Sequence, residues 1–354
     1  MVEPELRGST AHRVPCRRRP IAGLLALACG LLLAGCGAAD DDEARRAATP
    51  TEGLTVVSIP KQLDNPYEEI EQRGVRRAVE ELGGESRIVG ATDASAASQI
   101  PLIGSVAEQR PDALIIAGTD ADAVAPALRQ AAERGVKVVS MDSDVARDAR
   151  AVFVNQAEAR QIGRDQVRIL AEQVGDEGEI AILSATATAT NQNAWIAAMK
   201  DELRRHPGLR LVKVAYGDDD DQRSYQETQG LVREFPRLKG IIAPTAVGIA
   251  AAARYLSGSR WKEKVALTGL GTPRQLRRYV DDGTVEEFAL WNPEDVGYLA
   301  GHAAAALASG EITGAAGETF RAGKLGVRTI GRGGEVVLGP PLRFNAGNVR
   351  DFGF

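Results

Sequence analysis

The residues able to do chemistry are few, and most fall between predicted elements. The chain of 354 residues holds three histidines. His12 lies near the start, His206 precedes Pro207 at the end of a helical stretch, and His302 sits within the helical stretch Gly297–Ser309. None stands at a recognisable spacing from a nucleophile or a paired carboxylate, so no acid–base or nucleophilic constellation emerges and the chain is not expected to be an enzyme. The acidic run Asp218–Asp221 lacks the central glycine and terminal glutamate of a calcium loop and reads as a solvated loop. Gly269-Leu270-Gly271-Thr272-Pro273 lacks the third glycine of a phosphate loop and reads as a tight strand-to-helix turn. Neither a metal nor a cofactor is expected.

What remains is a set of strings that mix charged, amide and aromatic side chains. These are IPKQLDNPY (59–67), MDSD (141–144), ATATNQNAW (187–195), IIAPTAVGIAAAA (241–253) and FALWNPEDVGYLAG (288–301). Aromatic residues are only 5% of the chain, so the Tyr67 and Trp291 within these strings stand out as possible stacking surfaces.

The elements that must position these strings follow from the hydrophobic pattern. Strands are expected at Leu54–Ile59, Arg87–Val89, Ala113–Ala117 and Val136–Met141, with helices at Pro66–Leu82, Ala96–Glu108 and Ala121–Arg134 between them. The pattern then repeats, with strands at Glu179–Leu183, Leu209–Ala215, Gly240–Ala243 and Val265–Thr268. The intervening helices are Asn191–Arg205, Gln222–Phe235, Val247–Leu256 and Pro273–Val280. Alternating strands and helices argue for an α/β fold with parallel sheets covered on both faces. Two similar halves argue for two Rossmann-like lobes with a cleft between them. Ligands of such sheets bind beyond the carboxyl ends of the strands, where several of these strings lie.

Composition bounds the partners. A net charge of −5 and a pI near 5.5 give no reason to expect nucleic acid. At the start, Arg17-Arg18-Arg19 precedes an apolar run from Ile21 to Ala34, too short for a comfortable membrane span and of the kind found in a secretory signal. The run ends in Leu33-Ala34-Gly35-Cys36, which resembles a bacterial lipobox. Residues 1–35 are thus expected to be a lipoprotein signal peptide, with Cys36 lipidated and residues 36–52 a polar tether to the membrane. The three cysteines, Cys16, Cys29 and Cys36, all lie in this region, so the remainder can hold no disulfide and no cysteine metal site.

Taken in order, the five strings resemble the sugar-binding proteins of ABC importers with a type I periplasmic-binding (clamshell) fold. The match is nearest to the branch holding the rhamnose-importer binding proteins and the autoinducer-2 receptor, and it runs from Leu54 to Phe354. That resemblance implies two lobes joined by three crossovers, with 53–154 plus 292–318 in the first and 155–291 plus 319–354 in the second. It implies ligand-binding roles for Lys61, Asp142, Asn191, Gln192, Pro244, Ala246 and Trp291, to which Asn65, Tyr67, Thr245 and Asn292 are added from the same strings. Asp142 is expected to accept from sugar hydroxyls, Lys61 to donate and to offset its charge, and the aromatic rings to face the sugar. Asn191 and Thr245 stand where the autoinducer-2 receptor has acidic residues, which favours rhamnose over autoinducer-2. The expected protein is an extracytoplasmic monomer that closes on a small sugar by hinge motion and delivers it to importer permease subunits. Autoinducer-2 uptake and sugar sensing for a membrane kinase are the alternatives; a sugar repressor is disfavoured because no helix-turn-helix is recognised.

Overall fold

The computed structural model describes residues 53–354; the expected signal, Cys36 and tether lie outside the described residues. The chain begins with β1 (Thr55–Ile59), α1 (Pro66–Glu81), β2 (Glu85–Ile88), α2 (Ala96–Gln109), β3 (Ala113–Ile116), α3 (Ala121–Glu133), β4 (Lys137–Met141) and β5 (Val152–Asn155). It continues with α4 (Ala159–Val174), β6 (Gly178–Ser184), α5 (Thr190–Leu203), β7 (Leu209–Tyr216), α6 (Asp221–Glu234), β8 (Leu238–Ala243), α7 (Ala246–Ser257), β9 (Ala266–Gly269), α8 (Pro273–Asp281) and β10 (Glu287–Leu290). It ends with α9 (Pro293–Ser309), β11 (Thr319–Arg321), β12 (Val327–Thr329), β13 (Glu335–Val337) and β14 (Leu342–Asn345).

Two parallel sheets organise these elements. The first runs β13-β5-β4-β3-β1-β2 and the second β7-β6-β8-β9. A bridge from Leu270 to Ala289 brings β10 beside β9, and β14 pairs antiparallel with β10. The central strand β3, Ala-Leu-Ile-Ile, is buried at every position, as a strand covered on both faces must be. Leu114 and Ile116 pack with Ile103 of α2 and Leu128 of α3. Their neighbours Ala113 and Ile115 face the other way, into the cluster that holds Val75 and Val79 of α1 and Leu299 and Ala303 of α9.

The connections cross between the lobes three times: after β5, after β10, and between β13 and β14. The third crossing lies later than expected. The resemblance implies that 319–354 lies wholly in the second lobe, yet Glu335–Val337 pairs parallel with Phe153–Asn155 at the edge of the first sheet. Only the stretch from β14 belongs to the second sheet. A three-residue strand carries too little periodicity for its partner to be read from sequence.

Helix α1 is held against α9 unusually closely. A Cβ on Gly74 would lie 2.0 Å from the Glu294 carbonyl oxygen, and one on Gly297 would lie 1.8 Å from that of Glu71. Glycine at both contacts lets the two backbones touch. This matters for the site, because the first turn of α1 and the residues just before α9 both reach the cleft.

Candidate functional site

The first lobe builds one wall of the cleft from two strand ends. After β1, the chain passes Pro60 and Lys61 and turns through Asp64 at φ 61° to Asn65. The Asn65 side chain caps α1 by accepting from the Tyr67 N–H at 3.0 Å, with Pro66 in the first turn. This fixes the direction in which Tyr67 and Glu68 leave the helix. After β4, Asp142 adopts φ 57°, a left-handed conformation that aspartate tolerates better than most residues. Its carboxylate is 3% exposed as a residue and accepts from three donors. Lys61 Nζ lies 2.6 Å from Oδ2, Tyr67 Oη 3.1 Å from Oδ1, and Asn191 Nδ2 of the second lobe 3.0 Å from Oδ2.

The second wall is made of amides and hydroxyls. Asn191 and Gln192 open α5, and Asn191 Oδ1 accepts from the Gln192 N–H at 2.8 Å. Gln192 is a strut. Its Oε1 accepts from the Ala185 N–H at 3.2 Å, past the end of β6, and its Nε2 donates to the Pro244 carbonyl at 3.2 Å, past the end of β8. Thr245 caps α7 by accepting from the Gly248 N–H at 3.3 Å, and its hydroxyl donates to Asp219 Oδ1. Two further contacts cross the cleft: Gln62 Nε2 donates to the Asp219 carbonyl at 3.2 Å, and Thr188 Oγ1 to the Thr119 carbonyl at 3.1 Å.

The second crossover closes the back. Trp291 Nε1 donates to Tyr67 Oη at 2.8 Å, so an unbroken relay runs from the crossover to Asp142. The Trp291 ring meets Tyr67 edge-on at 6.3 Å between centroids and leans on Trp195 of α5 at 5.8 Å. Leu270 and Leu290 add an aliphatic surface. Together these residues enclose a space of about 370 Å3, including some open to solvent.

The electrostatics are lopsided. Lys61 is the one cation lining this cavity, against the carboxyl groups of Glu68, Asp142 and Asp219, with Glu71 buried one helical turn behind. Burial by itself would lower the Lys61 pKa, but Asp142, then Glu68 and Asp219, carry it above its ordinary value, so it stays charged. Burial pushes Glu68 up to about 8, with Asp142 adding to and Lys61 opposing the rise. Burial also raises Glu71 well above the usual carboxylate range, reinforced by Asp142 and Glu68. Asp219 is raised by burial too, with Lys61 and the Thr245 hydroxyl holding it back.

Ten of the eleven residues singled out in the sequence line this one cavity: Lys61, Asn65, Tyr67, Asp142, Asn191, Gln192, Pro244, Thr245, Ala246 and Trp291. Asn292 does not. It caps α9, accepting from the Glu294 N–H at 3.0 Å and donating to Asp295 at 3.0 Å. The solvated-loop reading of Asp218–Asp221 fails at Asp219, which is 9% exposed and lines the cavity. Trp195 packs on Trp291 and also lines the cavity. Glu68 was passed over altogether, although its place directly after Tyr67 in a capped first turn was a usable signal. The other histidines serve elsewhere: His206 Nδ1 lies 2.6 Å from Asp176, and His302 packs on Tyr298.

Known proteins share this architecture. The periplasmic binding protein domain model matches residues 56–312. A solved sugar ABC transporter from Actinomyces odontolyticus is 49% identical, covers 85% of this chain and 98% of its own, and superposes with a TM-score of 0.69. An ABC transporter solute binding protein from Clostridium phytofermentas, solved with bound L-rhamnose, is 38% identical, covers 84% of this chain and 98% of its own, and has a TM-score of 0.82. The D-ribose/D-allose-binding protein of Pseudomonas aeruginosa is 25% identical over 293 residues, 77% of this chain and 86% of that protein.

Proposed function

The chain belongs to the periplasmic binding protein domain family, and on that premise we propose that it is an extracytoplasmic solute-binding protein that captures L-rhamnose for an ABC importer. The observation that carries this reading is the carboxylate of Asp142, held between lobes by Lys61, Tyr67 and Asn191 at the strand ends. A buried, charged acceptor of this kind suits neighbouring sugar hydroxyls, which donate strongly to a carboxylate. The lysine beside it keeps the charge from being stranded when the cleft closes. Leu270, Leu290 and Ala246 line the same cavity and offer a 6-deoxysugar an apolar place for its methyl group. The L-rhamnose-bound relative at 38% identity supports the same choice.

The mechanism is binding and closure, with no bond made or broken. A ligand that touches Asp142 on one lobe and Asn191 on the other favours the closed arrangement by its differential affinity. The permease subunits would then recognise the closed form. Among the described residues no helix is long and apolar enough to cross a membrane. We assign membrane attachment to lipid on Cys36, on the strength of the Leu33-Ala34-Gly35-Cys36 string.

A thermal-shift panel of L-rhamnose, L-fucose, ribose, xylose, galactose and autoinducer-2 tests the reading. Ligand at 100 times its Kd stabilises a protein by about 2.7 kcal/mol, which raises Tm visibly. A shift with L-rhamnose that Asp142→Ala abolishes is the expected result. A shift with autoinducer-2 alone, or with none of the six, sinks the rhamnose assignment.

A further inference from the structure

Glu68 is the one carboxyl lining the cavity whose setting nothing above explains. It sits in the first turn of α1, where carboxylates are favoured by the helix dipole but normally reach solvent, as its exposed neighbour Glu69 does. Glu68 instead is 3% exposed and lines the cavity beside Lys61, Asp142 and Asp219. Its Oε2 is fully buried with no hydrogen-bond partner. Buried polar atoms are rarely left so, and each exception calls for a reason.

Each donor around it spends one N–H within the protein. Lys61 and Asn191 donate to Asp142, Gln192 to Pro244, and Trp291 to Tyr67. The lining combines three carboxyl groups with the remaining N–H groups of Lys61, Asn65, Asn191 and Gln192, while every hydroxyl and ring oxygen of a sugar can accept as well as donate.

We propose that Glu68 is a specificity-determining residue whose carboxyl group contacts the bound sugar and donates to one of its acceptor oxygens. The proposal rests on the sugar-binding reading above. As a neutral acid Glu68 donates through its O–H and accepts through its carbonyl oxygen. The groups facing it agree with a neutral state. Asp142 from the end of β4 and Asp219 from the loop after β7 disfavour a further negative charge, and Glu71 of its own helix is buried behind it. Lys61, from the end of β1, opposes them but is already paired with Asp142 at 2.6 Å. Glu68 thus holds its proton up to about pH 8. Sugar affinity should be steady below that pH and fall above it, as the donor is lost and a buried negative charge appears.

The test is titration calorimetry with L-rhamnose on the wild-type protein, Glu68→Leu and Glu68→Gln at pH 7 and pH 9. Thermal unfolding without sugar checks that each variant folds. Glu68→Leu should weaken binding about 30-fold at pH 7, the size expected for losing a buried hydrogen bond with a strong partner. Glu68→Gln keeps a donor and an acceptor and should lose only about 3-fold. The wild type should weaken about 10-fold between pH 7 and 9, since one proton is linked to binding above pH 8; Glu68→Gln should not. Wild-type affinity in folded Glu68→Leu overturns the role of Glu68 while leaving the sugar reading intact. A pH-dependent fall that persists in Glu68→Gln overturns the proton-holding donor. A wild-type protein that binds no L-rhamnose overturns the substrate reading, and the role of Glu68 with it.

Discussion

The two walls of the cleft solve the same problem by different means. The first-lobe wall is charged and locked: Lys61, Asp142 and Tyr67 are tied together, and the Trp291 indole is tied to them in turn. The second-lobe wall lines the cavity with one buried acid, Asp219, and otherwise with amides, a hydroxyl and apolar surface. Gln192 spends its side chain bracing two strand ends, and Thr245 caps a helix while it holds Asp219. A locked ion pair on one side and mostly uncharged groups on the other let one lobe set where the ligand sits. The other lobe closes with a single acid, Asp219, which burial and Asp142 both push toward the neutral form.

The largest effect should come from breaking the charged wall. Asp142→Ala strands Lys61 in a buried site and should weaken sugar binding by about 4 kcal/mol, roughly 1,000-fold, in calorimetry. Retained affinity would mean that the first wall does not set the ligand's position. Making the walls alike should cost somewhat less. Asn191→Asp replaces a donor 3.0 Å from Asp142 with a second carboxylate, and two such groups cannot both ionise freely. Binding should fall about 30-fold at pH 7 and recover in part at pH 5, where one of the pair can hold a proton. Equal affinity at the two pH values would count against charge as the difference between the walls.

The support beneath the first wall can be loosened without touching the cavity. Gly297→Ala forces α9 away from α1 and should destabilise by about 2 kcal/mol in urea unfolding, within the usual range for overpacking. The smallest effect separates two Asn-Pro pairs. Asn292→Ala should remove about 1 kcal/mol of stability through the lost cap, with sugar Kd unchanged. Any change in Kd beyond twofold would return Asn292 to the ligand site.

Those two pairs also mark where sequence reading succeeds and where it stops. Asn65-Pro66 and Asn292-Pro293 both follow a strand, and both cap a helix that starts with proline. The local chemistry is identical, so sequence places both beside the ligand; only packing shows that Asn65 lines the cavity while Asn292 turns to Asp295. Asp219 fails in the opposite sense. Among four consecutive aspartates nothing local distinguishes it, and its burial comes from Thr245 and Gln62 on distant segments. Strands with their own strong pattern, such as Ala113–Ile116 and Gly178–Ser184, were legible almost to the residue. The short strand Glu335–Val337 is not, for want of length, whereas the helix Ala159–Val174 escapes sequence reading although Ile162, Gln166, Val167, Leu170 and Ala171 form a regular buried face.

The late third crossing has a consequence for how the molecule comes into being. Any process that delivers the chain from its N-terminus, whether synthesis or passage through a pore, presents β1 to β5 long before β13 arrives. Until then the outer side of β5 is an open strand edge, able to pair with whatever extended chain is at hand. The first sheet gains its last strand late, since Glu335 lies 180 positions after the Asn155 it bonds. Such distant pairing folds slowly. The bare edge of β5 is thus the part of the first sheet that stays open longest.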